Sequence, residues 1–168
     1  VYDYEGGSWE EKDGTYSTDC FMYHVSLGCQ HCDDPACVAV CPTGAMHKDP
    51  DTGLVLVDAT KCIGCGYCVM NCPYNVPRVD REVGHSVKCD GCASRVAEGK
   101  NPICVDACPL RALDFGPIDE LKEKYEGVAG IAPMPDPSIT HPNIIIKKCP
   151  AALEPADLTG KVTNTQEV

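Results

Sequence analysis

The cysteines of this chain occur in blocks whose spacing could hold iron–sulfur clusters. Residues 62–73 read Cys-x2-Cys-x2-Cys-x3-Cys-Pro. In bacterial iron–sulfur sequences with this spacing, three thiolates bind one cluster and the fourth cysteine binds a second cluster. Because such a block cannot complete a cluster alone, it predicts a partner block elsewhere in the sequence.

A block of the same kind precedes this run, and its middle gap is widened to four residues. Its last two cysteines lie one helical turn apart, so the fourth thiol can point away from the loop that carries the first three. The pattern predicts two cross-ligated 4Fe–4S clusters, which would hold the two blocks together. Their expected ligands are Cys29, Cys32, Cys37 and Cys72 for one cluster, and Cys62, Cys65, Cys68 and Cys41 for the other.

A third block consists of Cys89, Cys92, Cys104 and Cys108. No partner block remains for it, because Cys20 and Cys149 lie outside any block. We therefore expect two further 4Fe–4S clusters, completed by a fourth block upstream of Val1. The intact protein would hold four clusters and this chain two complete ones, so we expect the chain to be a fragment or a processed product.

Other uses of the cysteines are less consistent with the spacing. Structural zinc also uses paired Cys-x2-Cys steps, but it needs neither the third step nor the trailing Cys-Pro. Repeated Cys-x2-Cys gives poor disulfide geometry. Cys29-Gln30-His31 matches half of a Rieske-type pattern, in which two histidines replace two cysteines, but no second half follows. We interpret His31 as a polar loop residue near a cluster.

The composition limits both the core and the partners. Fourteen cysteines accompany only two phenylalanines and one tryptophan in 168 residues, so clusters or disulfides must supplement a thin apolar core. The net charge of −11 argues against nucleic-acid binding, which requires a basic face. No apolar run approaches the roughly 20 residues that span a bilayer, and no secretory signal is visible.

The pattern predicts an α+β fold: a loop-rich bacterial ferredoxin-like module for two 4Fe–4S clusters, with insertions, short helices and β-hairpins. Residues 1–15 read as polar loop and residues 16–27 as a strand with Phe21, Tyr23 and Val25 on one face. Asp34 and Pro35 are suited to begin a short helix before Cys41. Residues 44–47 and 54–57 flank turn residues and predict an antiparallel hairpin.

Beyond the second block, a connector with Pro73, Pro77 and Gly84 leads to the third. Residues 93–98 and 104–108 read as helical, residues 110–115 as a strand, and residues 118–125 as an amphipathic helix. The expected organisation has four parts. These are 1–28 (polar loop and strand leading in), 29–80 (two-cluster module), 81–126 (third block, half of a second module) and 127–168 (Pro-rich tail that wraps the module or a partner subunit).

The blocks and their flanks also carry a family resemblance. Residues 31–37, 41–45, 62–73 and 102–121 resemble the electron-transfer subunits of molybdopterin oxidoreductases. Within that group, residues 108–121 are similar to the iron–sulfur subunit of anaerobic dimethyl sulfoxide reductase. Some relatives have tryptophan where this chain has Cys65, and they hold a 3Fe–4S cluster; the cysteine here implies a 4Fe–4S cluster.

The resemblance implies a three-subunit complex. A membrane anchor would oxidise menaquinol, this subunit would relay the electrons through its clusters, and a molybdopterin catalytic subunit would reduce dimethyl sulfoxide or a similar acceptor. The chain would be peripheral on the bacterial cytoplasmic membrane and face the periplasm through co-export with its catalytic partner. The alternative within the family is a subunit of a formate, polysulfide, thiosulfate or nitrate type enzyme.

Two other classes of function stay open on the residues alone. One is a redox enzyme that uses a cluster for chemistry, for which the third block is the candidate; the other is a zinc-stabilised interaction module. No nucleophile–base pair, phosphate-binding loop or nucleotide fingerprint is visible. We therefore expect a non-catalytic subunit with no catalytic residues. Lys88, Arg95 and Lys100 are expected to be solvated.

Overall fold

The computed structural model describes residues 2–152. Four strands in two antiparallel pairs form its N-terminal part. β1 (Tyr2–Gly6) pairs with β4 (Phe21–Val25), and between them β2 (Trp9–Lys12) pairs with β3 (Thr15–Thr18). The strand predicted over residues 16–27 is thus divided between β3 and β4.

The aromatic face of β4 is as expected, but the loop predicted over residues 1–15 is wrong. In β4, Tyr23 and Val25 are buried. Tyr4 of β1 lies across from them, with its ring centroid 5.3 Å from that of Tyr23 and 5.8 Å from that of Phe21. The packing of Tyr4 against these rings stabilises the pairing of β1 with β4, although the rest of the N-terminal sequence is polar. The β2–β3 hairpin is exposed throughout, including Trp9 and Tyr16.

The predicted helix–hairpin–helix order of the first two blocks is confirmed. α1 (Ala36–Ala39) is followed by β5 (Met46–Lys48), β6 (Val55–Val57) and α2 (Tyr67–Asn71), and α1 packs against α2 and β5. Asp34 does not cap α1, because its carboxylate lies 2.8 Å from Nδ1 of His141.

The connector to the third block contains a hairpin that the sequence reading missed. β7 (Arg78–Asp80) pairs with β8 (His85–Val87). Its turn is held by Asp80, whose carbonyl accepts a hydrogen bond from Gly84 N–H and whose carboxylate accepts from Glu82 N–H. This hairpin lies on both sides of the expected boundary at residue 80.

The third block carries three short helices: α3 (Ala93–Ala97), α4 (Ile103–Ala107) and α5 (Ile118–Lys124). The strand predicted over residues 110–115 is wrong. A strand needs extended backbone, and Arg111 has a φ of 50°. Asp114 instead anchors α5, since its carboxylate accepts hydrogen bonds from Lys124 and Tyr125 at 2.6 Å each.

The Pro-rich tail is expected to wrap either the module or a partner subunit, and its described part packs on the module. It contains a 3-10 helix (Pro137–Ile139) and a bridge between Val128 and Ile146. Residues 153–168 of the predicted tail lie outside the described residues. Within the described part, no helix has the length and apolar character needed to cross a membrane.

Two apolar clusters form the core, and both contain thiols. The larger joins the N-terminal strands to the tail and includes Tyr4, Tyr23, Val25, Cys32, Tyr74, Ile131, Ala132, Met134 and Ala152. The smaller lies between α1, α2 and the β5–β6 hairpin and includes Cys37, Met46, Val55 and Cys68. The predicted ligands are therefore also core residues.

Candidate metal centres

One of the two predicted ligand sets lines a single cavity. Cys41, which follows α1, lines this cavity together with three cysteines of the second block, and the rest of the cavity wall is largely apolar. The cavity's cysteines are Cys41, Cys62, Cys65 and Cys68. Four soft sulfur donors around one space are the donor set that iron–sulfur clusters use.

Hydrogen-bond donors point at the sulfurs of this cavity. Met46 N–H donates to Cys41 Sγ at 3.3 Å, and Ser86 N–H donates to Cys62 Sγ at 3.3 Å. The Cys68 thiol lies 3.4 Å from the hydroxyl of Ser86. Burial works to raise the pKa of Cys41, but N–H donors, chiefly from Met46, outweigh it and hold that pKa below its usual value. The cavity thus makes the Cys41 thiol easier to deprotonate than a free cysteine.

The loop before α2 depends on glycine at a close approach. Gly64 has a φ of 66°, and a Cβ there would lie 2.8 Å from the carbonyl oxygen of Gly84 in the β7–β8 turn. Any larger residue would push the hairpin away from the loop. The two glycines therefore allow the hairpin to bring Ser86 to the sulfurs.

In the other predicted set, which consists of Cys29, Cys32, Cys37 and Cys72, the side chain of Cys72 packs against the apolar cluster that contains Cys32. Burial, followed by the neighbouring thiols of Cys72 and Cys29, raises the pKa of Cys37 to about 12. Burial likewise raises the pKa of Cys29 and of Cys32. The four thiols therefore influence one another electrostatically, and a metal would have to displace their protons on binding.

The tail supplies residues to this first site that sequence reasoning missed. Thr140 is buried, its hydroxyl lies 3.2 Å from that of Tyr74, and it also reaches the Cys32 thiol. The carbonyls of His141 and Thr140 accept hydrogen bonds from Asp33 N–H and Asp34 N–H at 2.8 and 3.1 Å. No local signal could have indicated these contacts, because more than a hundred residues separate the partners.

The third-block cysteines are less enclosed. Cys89 and Cys104 are exposed, whereas Cys92 and Cys108 are half-buried. Ala112 N–H donates to Cys108 Sγ at 3.4 Å, and backbone donors, first among them Ala112, lower the pKa of that thiol.

The three cations expected near the third block differ in their surroundings. Arg95 and Lys100 form exposed ion pairs with Asp106 and Glu98. Lys88 does not lie free in solvent: its ammonium donates to the carbonyls of Cys89 and Val55. Cys20 and Cys149, which were not predicted as ligands, are exposed.

The backbone and the ring of His31 are both held in place, which the expectation of a polar loop residue does not require. It has a φ of 43°, and its Nδ1 accepts a hydrogen bond from Val55 N–H at 2.9 Å. Burial, followed by the charge of Lys88, lowers the pKa of His31 to about 4, so the ring is neutral. Its Nε2 is buried without a hydrogen-bond partner among the described residues.

These features fit a cluster as the bound group. The cavity thiols surround a space, and backbone N–H groups donate to two of their sulfurs. Near the first block, the buried Nε2 of His31 has no hydrogen-bond partner among the described residues. The assignment of individual ligands stays a prediction.

Comparison with known proteins gives consistent results. The family described as "4Fe-4S dicluster domain" matches residues 20–118, more than half of the chain. The probable anaerobic dimethyl sulfoxide reductase chain YnfG of Escherichia coli is 54% identical over 168 residues, which are 100% of this chain and 82% of that protein. The B subunit of anaerobic dimethyl sulfoxide reductase from Escherichia coli is 53% identical over the same shares.

A more distant relative carries its role in its name. The thiosulfate reductase electron transfer subunit PhsB of Salmonella typhi is 48% identical over 97 residues, which are 57% of this chain and 50% of that protein. The identity to the reductase subunits over the whole of this chain, together with the dicluster match over more than half of it, shows the family. This protein belongs to the family of 4Fe–4S iron–sulfur subunits that includes the B subunit of anaerobic dimethyl sulfoxide reductase, and it is a non-catalytic, electron-transfer member of it.

Proposed function

We propose that this chain relays electrons from a quinol-oxidising membrane anchor to a molybdopterin catalytic subunit that reduces dimethyl sulfoxide or a similar acceptor in anaerobic respiration. The observation that carries the proposal is the cavity lined by Cys41, Cys62, Cys65 and Cys68, in which thiols from two sequence blocks meet. A 4Fe–4S cluster bound there would supply a one-electron redox centre. The match to dimethyl sulfoxide reductase subunits over the full chain supports the choice of acceptor.

The ligand assignment follows the cross-ligation rule. Cys62, Cys65, Cys68 and Cys41 would hold one 4Fe–4S cluster, and Cys29, Cys32, Cys37 and Cys72 another. The shared cavity supports the first set, and the mutual pKa shifts of the thiols support the second. Cys89, Cys92, Cys104 and Cys108 would contribute to two further clusters together with a fourth block, giving four in the intact protein.

The chain's own residues would bind the clusters and shield them from water. Met46, Ser86 and Thr140 direct polar hydrogens at ligand sulfurs, which favours the more negative, reduced state of a bound group. The apolar clusters around the buried thiols exclude water from them. In the complex, the chain would be peripheral to the cytoplasmic membrane and face the periplasm with its catalytic partner.

One observation supports thiosulfate or a related compound as an alternative acceptor. The thiosulfate reductase subunit matches 57% of this chain at 48% identity, so the module alone does not distinguish the acceptor. A subunit of a thiosulfate, polysulfide, formate or nitrate type enzyme is therefore the alternative. The catalytic subunit that binds this chain decides between them.

Anaerobic purification of the full-length protein with its native partners tests the proposal. We expect iron and acid-labile sulfide in amounts that match four 4Fe–4S clusters, EPR signals that appear on reduction with dithionite, and a co-purifying molybdopterin subunit with dimethyl sulfoxide reductase activity. Addition of a reduced menaquinol analogue should reduce the clusters, and dimethyl sulfoxide should reoxidise them.

Different results would reject different parts of the proposal. Colourless protein that contains zinc and lacks iron would exclude electron transfer. Fewer than four reducible clusters in the full-length protein would contradict the count of blocks. Reoxidation by thiosulfate but not by dimethyl sulfoxide would favour the alternative acceptor.

A further inference from the structure

His31 lies at the junction of the first and third cysteine blocks. In the sequence it lies between Cys29 and Cys32 of the first block. Its imidazole approaches the third block, where a Cβ built on Gly91 would come within 3.5 Å of Nε2. Gly91 belongs to the loop between Cys89 and Cys92, so one residue contacts elements of two candidate cluster sites.

The hydrogen bonding of the ring fixes where its proton lies. Nδ1 accepts from Val55 N–H at 2.9 Å, so in the neutral ring the proton is on Nε2 and that atom is a donor. Nε2 is buried and has no acceptor among the described residues. A buried donor without an acceptor is destabilising, and its presence in a native structure calls for a bound group that completes it.

The backbone around His31 is held rigidly in an uncommon conformation. A φ of 43° is unusual for a residue other than glycine. The carbonyl of His31 accepts a hydrogen bond from Nδ2 of Asn143 at 2.9 Å, which fixes the peptide from the tail side. The bond to Val55 fixes the ring from the β6 side. This arrangement aims Nε2 at one place, and strain of this kind is typical of functional sites.

We propose that His31 is a positioning residue whose Nε2–H donates a hydrogen bond to a sulfur of the cluster bound by Cys89 and Cys92. The inference rests on the proposed function, because it requires the third block to hold a cluster. Sulfide and thiolate sulfurs of such a cluster are the acceptors that Nε2 lacks in the protein alone. The same residue lies between Cys29 and Cys32 of the first block, so His31 connects two redox sites.

Such a bond has a defined electrical consequence. Reduction adds one negative charge to a cluster, and a hydrogen-bond donor interacts more favourably with the more negative state. The Nε2–H donor therefore raises the reduction potential of the third-block cluster. It leaves the cluster bound by Cys62, Cys65 and Cys68 unchanged, because that site lies in another cavity.

The pair His31→Asn and His31→Gln separates this role from a merely structural one. The Asn amide oxygen can replace Nδ1 as the acceptor for Val55, and Asn tolerates a positive φ, but it places no donor at Nε2. Gln can place an amide N–H near the position of Nε2. Both variants are made in the full-length protein purified anaerobically with its partners, and cluster potentials are measured by EPR-monitored redox titration.

We expect His31→Asn to lower the potential of a single cluster, the one that Cys92→Ser removes. The shift should correspond to roughly a tenfold change in the reduction equilibrium, which for one electron is about 59 mV. His31→Gln should shift that potential less. In the unmodified protein labelled with 15N-histidine, pulsed EPR should detect one nitrogen coupled to the same cluster, and His31→Gln should abolish the coupling.

Three results would overturn the inference. They are an unchanged potential in His31→Asn, a shift confined to the cluster that Cys32→Ser removes, and the absence of histidine coupling in the unmodified protein. Should His31→Asn fail to load its clusters, the 15N coupling alone decides. Failure of the proposed function is distinct, since iron and sulfide would then be missing from the unmodified protein.

Discussion

Ser86 illustrates how a single residue can serve two thiols of one site. It lies on β8 with 3% of its surface exposed. Its backbone N–H donates to Cys62, and its hydroxyl lies beside Cys68. Once Cys68 is a thiolate, the hydroxyl becomes the donor and the sulfur the acceptor. The cysteine spacing indicated the ligands, but it did not indicate this residue, because its position depends on an unpredicted hairpin.

At the scale of single residues, cross-ligation predicts that a cysteine change damages the cluster of the opposite block. Cys72→Ser should impair the cluster bound by Cys29, Cys32 and Cys37 and spare the one bound by the rest of its own block. The reason is that Cys72 packs against the cluster that contains Cys32 and acts electrostatically on Cys37, whereas Cys41 lines the cavity of the second block. Mössbauer and EPR spectroscopy of each variant measure the loss.

Cys41→Ser is the matched control for this experiment. It should give the reciprocal pattern, with damage to the cluster of the second block. An intact first-block cluster in Cys72→Ser would show that the cross-ligation is wrong.

At the scale of elements, the described tail is part of the first cluster site. Its backbone carbonyls accept hydrogen bonds from Asp33 and Asp34, and Asn143 N–H donates to the carbonyl of Gln30 at 3.0 Å. The tail residues Ile131, Ala132 and Met134 pack with Tyr4 and Tyr23 in the larger apolar cluster. The tail therefore holds the N-terminal strands against the first block.

Thr140→Val should weaken the first site without changing the shape of the side chain. The variant removes a buried hydroxyl that reaches Cys32 and leaves the hydroxyl of Tyr74 without that partner. We expect a loss of roughly 1–3 kcal/mol in the free energy of unfolding and a lower potential for the first-block cluster. Chemical denaturation and redox titration measure the two effects.

Ser138→Ala provides the control within the same segment. This hydroxyl is exposed and lies next to Asp136 rather than a cysteine, so the first-block potential should stay as in the unmodified protein. Equal potentials in Thr140→Val and the unmodified protein would exclude a role for the tail at this site.

At the scale of the whole molecule, the thiols belong to the core and not only to the metal sites. Cys32 lies in the larger apolar cluster, and Cys37 and Cys68 lie in the smaller one. Among the described residues, the smaller cluster contains only Met46 and Val55 besides its two cysteines. A protein of this composition gains much of its stability from bound metal, because ligands that meet only in the folded state convert binding energy into folding energy.

Removal of the clusters should therefore abolish cooperative unfolding. After treatment with an oxidant and a chelator under anaerobic conditions, followed by thiol reduction, we expect lost near-UV circular dichroism and a broad thermal transition. Reconstitution with iron and sulfide should restore both signals, which controls for irreversible damage. An apoprotein that unfolds at the temperature of the intact protein would contradict this prediction.

The sequence by itself determined the local features. Cysteine spacing predicted the ligand sets, and turn residues predicted the β5–β6 hairpin. Capping residues, with cysteines one turn apart before a proline, predicted the short helices, because these patterns act over a few neighbouring residues. Only the tertiary structure decided that residues 2–6 form a strand, since their stability comes from Tyr23 on β4. It alone placed Ser86, Thr140 and His31 at the thiols, because contacts between distant segments leave no periodic signal in the sequence.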